Sequence, residues 1–497
     1  MPTSTKKAAR TQISSSAGAP PPQPRMTEDW LAVCIGLFVF LVSLALLFRV
    51  DLLGWATTIS VWTVPGKSLA PASAAYAKVP HLISLLGTFA FLLVVLAFGA
   101  RALRISVGRF VQKFTVIFAL SYVCWWLGSW AYIAATPDKR HALGVGWSLN
   151  LTNESGYIIA LLAGLVVANF LPGVTGWMQE ALRPELYIKS AIVLLGGFLG
   201  ITALSQQRLA STIVMQGVCA IVCAYLIFWP VVYYVARRWF GFSREWAAPL
   251  ASGISICGVS AAIATGSAIR ARPVVPVMVS SLVVVFSVVE ILVLPFVAGH
   301  YLYSQPLVAG AWMSLAVKTD GAAVASGAIA DSLVHARALG AGLQFQPGWT
   351  LGVATTVKVF IDIFIGVWAF VLAWVWSAKI ERRNEQVRAR QIWERFPKFI
   401  LGYVATFLLV LILGALFPDL VPRIKSAMGE ANIFRTLFFV LTFFAIGAVS
   451  NFRRLWQEGI AKLAGVYVLC LFGFIIWVGL LISWLFFHGV LPPTVKG

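Results

Sequence analysis

Long apolar runs alternate with short polar stretches along nearly the whole chain, and most runs are close to the length of a membrane-crossing helix. Such a helix needs about 20 apolar residues, within a range of roughly 17–25. On that rule the pattern predicts thirteen membrane segments, at 30–48, 82–100, 114–134, 157–171, 186–203, 212–235, 247–268, 274–299, 308–330, 348–376, 399–417, 433–449 and 463–487. Those at 157–171 and 433–449 are short. Those at 247–268 and 308–330 are rich in small residues. In the first of these Ser252, Gly253, Ser255, Gly258 and Ser260 crowd the middle, where a lipid-facing helix would carry Leu, Ile, Val and Phe. The second is interrupted by Lys318-Thr319-Asp320-Gly321, a poor helix interior. Non-helical backbone at membrane depth is tolerated only where protein buries it or water reaches it. Both segments are therefore expected to be broken, as at transporter binding sites.

The expected fold is all-α: a polytopic transmembrane helical bundle of about 13 spans, with broken, crossed helices and inverted repeats. Leu195–Leu204 and Phe444–Leu455 share a Gly-centred apolar run ending in a polar turn, and are the candidates for repeated elements. Residues 1–26, rich in Ser, Ala and Pro, read as a disordered cytoplasmic tail. Residues 27–150 read as accessory spans, 151–490 as a transporter core and 377–398 as a basic cytoplasmic loop. The first apolar run is longer than a signal-peptide core and reads as a retained span. Trp125, Trp126, Trp130 and Tyr132 fit an interfacial belt.

Composition excludes a soluble protein. Hydrophobic residues make up 60% of the chain and charged residues 11%, against about 25% charged in soluble domains. The net charge of +20 does not indicate nucleic acid, because no polar groove-facing surface accompanies it. Lys and Arg instead concentrate in alternate loops. That bias places the N-terminus of a multi-pass membrane protein in the cytoplasm. The six cysteines lie in apolar runs and the five histidines are scattered. No metal-ligand spacing, nucleotide-binding glycine motif or zinc-protease motif occurs. No cofactor, no metal and no enzymatic activity are expected.

Charge at bilayer depth carries the candidate chemistry. Each ionisable group there costs at least about 2.5–3.5 kcal/mol on insertion scales, so a chain keeps it for pairing, wetting or function. The candidates are Lys189, Glu290, Lys318, Asp320, Lys358 and Asp362. Lys358 and Asp362 are four apart and share a helix face, either as an ion pair or as a substrate or proton site. Asp320 is expected to cap a helix from Ala322, leaving Lys318 facing a cavity. A cation beside exposed backbone N–H groups makes an anion site. Glu290, just before Pro295, suits a proton carrier or a satisfied structural group. Lys189, near a span end, is expected to snorkel.

At Ser255-Ile256-Cys257-Gly258-Val259-Ser260-Ala261 the chain resembles the sulfate exporter family of bacterial membrane proteins. The similarity runs from about Gly156 to the last span. It includes Trp312 leading a broken segment, Lys358 in a late span, Phe396-Pro397-Lys398-Phe399 and Ala445-Ile446-Gly447. This chain reads Lys318-Thr319-Asp320 where many members read His-Asp-Thr. It carries Ile361 where many have an arginine. The resemblance implies a secondary transporter of sulfate or a related oxyanion or sulfonate. The reading assigns Ser252, Gly253, Ser255, Gly258, Ser260, Lys318 and Thr319 to substrate binding, and Asp320, Lys358, Asp362 and Glu290 to coupling. The expected partners are a small anionic solute and the lipid bilayer, with no nucleic acid. Assembly as a homo-oligomer is left open. The alternatives are a cation–proton antiporter and, in another class, a membrane enzyme or scaffold.

Overall fold

The computed structural model describes residues 26–135, 137–149, 155–272, 274–376, 397–451 and 461–494. The tail read at 1–26 except its last residue, nearly all of the basic loop 377–398, Phe396 and the end of the Phe444–Leu455 run lie outside these residues. Among the described residues the architecture is helical. One two-stranded antiparallel hairpin, Thr57–Ile59 with Leu69–Pro71, lies between the first two long helices. The expected aromatic belt packs against this region. Trp62 stacks on Trp126 at 4.4 Å, and Trp126 donates to Ser68 Oγ at 2.9 Å.

All thirteen segments are present as helix, but two of them turn back instead of crossing. Among the described residues eleven helices are long and apolar enough to cross, or 12 if Ser155–Phe170 and Pro172–Met178, bent by 112°, count as one. Arg244–Ala268 is among them by length and composition. Glu245 at its start binds Arg272 just past its end, through Nε at 3.0 Å and the backbone N–H at 2.8 Å. Its two arms therefore begin and end on one face. The second small-residue segment is a short helix, Pro306–Ala316, then Asp320–Gly340. Arg337 near its end lies 5.9 Å over the ring of Tyr303, just before its start. Gly299, close to the far end of Val274–Tyr301, meets Leu333. This hairpin enters from the opposite face. Eleven residues of helix rise about 16 Å, half of a hydrocarbon core about 30 Å thick, so its tip lies near mid-depth.

Each hairpin is followed by a crossing helix, Val274–Tyr301 after the first and Trp349–Val375 after the second. The same order of elements thus occurs twice with opposite orientation. This inverted pair differs from the Leu195–Leu204 and Phe444–Leu455 candidates, whose described parts lie in Pro184–Ser205 and Val421–Val449. Val421–Val449 is also longer than the run at 433–449, because Arg423, Lys425 and Glu430 break its hydropathy without breaking the helix. Arg435 is accommodated by Asn432 at 2.5 Å and by the Phe439 ring at 5.0 Å.

Packing divides the helices into two groups. Glu28–Ser43, Pro184–Ser205, Phe399–Leu416, Val421–Val449 and Ser155–Phe170 pack together, with Val107–Gly128 and His81–Ala102 against them. The hairpins, Gln207–Arg238, Val274–Tyr301, Trp349–Val375 and the Ala461–Phe487 crossing form the other group. Only narrow seams join the two. The division therefore falls near residue 206 and the chain rejoins the first group after 397, whereas the sequence suggested one core over 151–490. Lys189 belongs to the first group and does not snorkel. It pairs with Asp29 at 2.8 Å and Glu185 at 3.3 Å.

Candidate functional site

Small residues bring the two hairpin tips together. The first arm, Arg244–Ser252, widens into a π turn over Gly253–Cys257, and Gly258 begins the returning helix. Gly258 has no room for a side chain. A Cβ there would stand 2.5 Å from Val283 Cγ1, 3.1 Å from Lys318 O and 3.2 Å from Thr319 Cγ2. The second tip is Val317-Lys318-Thr319, with Val317 and Thr319 extended. Thr319, and not Asp320, caps the returning helix: its Oγ1 accepts the Ala322 N–H at 3.2 Å, and Asp320 is the first helical residue.

Lysine joins the tips electrostatically. Lys358 Nζ lies 3.6 Å from Asp320 Oδ1 and 3.5 Å from Ile256 O, so it touches both hairpins. The ion pair expected with Asp362 within one helix is made to Asp320 on another. Cys257 Sγ donates to the same Asp320 oxygen. Asp362 faces this cluster, and its ligand atom and those of Cys257 and Asp320 lie within 4.8 Å of one another. Both Asp362 oxygens lack a hydrogen-bond partner although the residue is 1% exposed. A thiol and two carboxylates are donors a metal would use, but here the Lys358 ammonium supplies the positive charge beside them.

The other charges are committed to the backbone. Glu290 accepts the Lys318 N–H at 2.9 Å and the Tyr467 hydroxyl at 2.7 Å. It pins the second break from two flanking helices, as a satisfied structural carboxylate does. The Lys318 N–H, expected to be open to an anion, is therefore taken. Its ammonium donates to Leu315 O and lies 5.3 Å over Phe228, instead of facing a cavity. Each lysine thus serves a carbonyl at the end of an entering arm, where the helix dipole is negative. The positive ends that remain are the starts of the two returning helices, Gly258–Ala268 and Asp320–Gly340.

The hydroxyls divide by role. Ser252 accepts from Trp229 Nε1 at 2.9 Å and from Thr265 Oγ1 at 2.7 Å, stapling the first hairpin. Gly253 packs on Val279. Ser255 Oγ is buried without a partner, and Ser260 is half-buried on the first turn of the returning helix. A cleft of 690 Å³ opens between the two helix groups and reaches Val259. Gln179 and Asn451 line one wall, Ser280 and Ser281 the other. Sequence reasoning missed Cys257, noted only as one of six cysteines in apolar runs, although it lies inside the Ser-Ile-Cys-Gly motif. It also missed Tyr467, which nothing local distinguishes from a core aromatic.

A family model described as conserved hypothetical protein 698 matches residues 144–465, which contain both hairpins and the Lys358 helix. The chain belongs to this family. It is the sulfate exporter-like family that the Ser-Ile-Cys-Gly motif resembles. A UPF0324 membrane protein of Nitrosomonas europaea is 38% identical over 475 residues, covering 94% of this chain and 97% of the relative. A UPF0324 membrane protein of Rhodopirellula baltica is 30% identical over 384 residues, 75% of this chain and 62% of its own. An uncharacterized protein of Archaeoglobus fulgidus is 47% identical over 181 residues, 32% of this chain and 97% of its own. No solved structure matches the chain. The first three crossing helices precede the conserved hypothetical protein 698 match.

Proposed function

We propose that this protein is a secondary transporter that moves a small anion, sulfate or a related oxyanion or sulfonate, across the bacterial cytoplasmic membrane by alternating access. One observation carries the reading: two hairpins enter from opposite faces and meet tip to tip beside Lys358. Their returning helices begin there, and helix N-termini favour negative ligands. Binding at a mid-depth meeting of broken helices in inverted repeats is the geometry of secondary transporters. The thin seams between the two helix groups favour movement of the hairpin group against the other. The 690 Å³ cleft, which reaches Val259 beside the first tip, supports an approach to the tips from one face. Folding back the first hairpin brings Arg270 and Arg272 to the Glu28 face. This adds to the Lys and Arg excess there and supports a cytoplasmic N-terminus.

The test is sulfate uptake into proteoliposomes by wild type and Ser255→Ala. That hydroxyl has no protein partner, so its loss should leave stability intact. A lost hydrogen bond to a charged ligand is worth about 1.5–3 kcal/mol, so the apparent affinity should fall roughly tenfold or more. Absence of flux for sulfate and simple sulfonates, or a wild-type KM in the variant, would refute the assignment. A second reading, cation–proton antiport, is favoured by the Cys257, Asp320 and Asp362 cluster. Sodium- or potassium-driven proton flux without anion flux would select it.

A further inference from the structure

The buried cluster at the tips has an imbalance of charge. Asp320 and Asp362 bring two carboxylates, Lys358 brings one ammonium, and the Cys257 thiol donates to Asp320. Asp362 lies against the Asp320 carboxylate and the Cys257 thiol, and no hydrogen bond of good geometry reaches either of its oxygens. The nearby groups do not correct this: Lys189, within electrostatic reach of Asp320, is already paired with Asp29 and Glu185. Tyr225, on Gln207–Arg238, gives its hydroxyl to Ile361 O at 2.7 Å. Lys318 is held by Leu315 O, and Glu290 is occupied by Lys318 and Tyr467. Ser255 Oγ, buried at the first tip, is likewise unpartnered. A fully ionised cluster would hold one uncompensated negative charge in a dry site, and buried charges persist only when paired. A sodium ion would stand beside an ammonium and a thiol, both poor neighbours for a hard cation.

Resting on the anion-transport reading, we propose that this cluster carries one exchangeable proton and that the protein is a proton–anion symporter. The proton, taken from cleft water, forms an O–H bond on the Asp362–Asp320 pair. A neutral Asp320 no longer holds Lys358, whose ammonium then turns to the arriving anion at the returning-helix starts. Without the anion, water takes its place at the tips, solvates the freed carboxylate and accepts the proton, and Lys358 returns to Asp320. Proton and anion therefore cross together, because each makes room for the other.

The experiment uses the full chain in proteoliposomes with labelled sulfate, and methanesulfonate in parallel. The membrane potential is clamped to zero with valinomycin and equal potassium. With one coupled proton, a gradient of one pH unit, acid on the sulfate side, should accumulate the anion up to about tenfold. An internal dye should report acidification that depends on the anion. In Asp362→Asn the ratio of uptake with and without the gradient should fall to one. Wild-type anion flux with no pH-driven accumulation, or accumulation driven by a sodium gradient, would overturn the coupling while leaving anion transport standing. Absence of anion flux under every gradient would overturn the transport reading itself. The wild-type measurements decide both outcomes even if Asp362→Asn fails to fold.

Discussion

Removing Lys358 should cost more than removing the carboxylate it binds. Lys358 and Asp320 are 3.6 Å apart, with side chains only 2% and 4% exposed. At an effective dielectric near 20, two unit charges at that distance attract by about 5 kcal/mol. Breaking one side of a buried pair costs about 3–5 kcal/mol, because the other charge is left stranded. Lys358→Met strands two carboxylates, Asp320 and Asp362. Asp320→Asn leaves Lys358 with Asp362 one turn along its helix and with Ile256 O, so its loss should be about 1–3 kcal/mol by the range for a single buried polar deletion. The double variant removes one charge of each sign and should be more stable than Lys358→Met alone. The assay is thermal unfolding of purified protein at one scan rate, since membrane-protein unfolding is read as a rate as much as an equilibrium. Lys358→Met matching Asp320→Asn, or a double variant below both, would refute the charge ledger.

Two further outcomes probe how the site is held. Gly258→Ala should destabilise by about 1–3 kcal/mol through overpacking, with partial rescue by Val283→Ala, because the new methyl meets Val283 first and the Lys318 carbonyl next; strict additivity in the same melts would contradict the Gly258–Val283 contact. Asp331→Ala should lower the unfolding midpoint by the equivalent of about 1–3 kcal/mol, because its carboxylate accepts the N–H groups of Gly348 and Thr350, each at 2.9 Å, where the Lys358 helix begins; an unchanged midpoint would show that this end is held by other contacts.

Hydropathy made the helices legible, and small residues marked the two breaks, because both are local properties of the chain. Whether a broken segment crosses or returns depends on pairs such as Glu245–Arg272 and Arg337–Tyr303, which only the folded chain brings together. The same holds for charge. Lys358 and Asp362 share a face at a spacing of four, so a partnership within the helix was the natural reading. Asp320 wins because the second hairpin delivers it against Lys358 from across the site. Ser252 and Lys318 were read as ligand groups from their chemistry alone. Trp229, Thr265 and Leu315 O, each distant in sequence or hidden in backbone, show how those polar atoms are already used.

The opposed entry of the two hairpins is tested most directly by labelling from one face. Single cysteines replacing Glu245, Arg272, Tyr303 and Arg337 in a cysteine-free background would be exposed to a membrane-impermeant maleimide in oriented vesicles. Positions 245 and 272 should react from one face, and 303 and 337 from the other. Reaction of 245 and 272 from opposite faces would make Arg244–Ala268 an ordinary crossing and contradict the account.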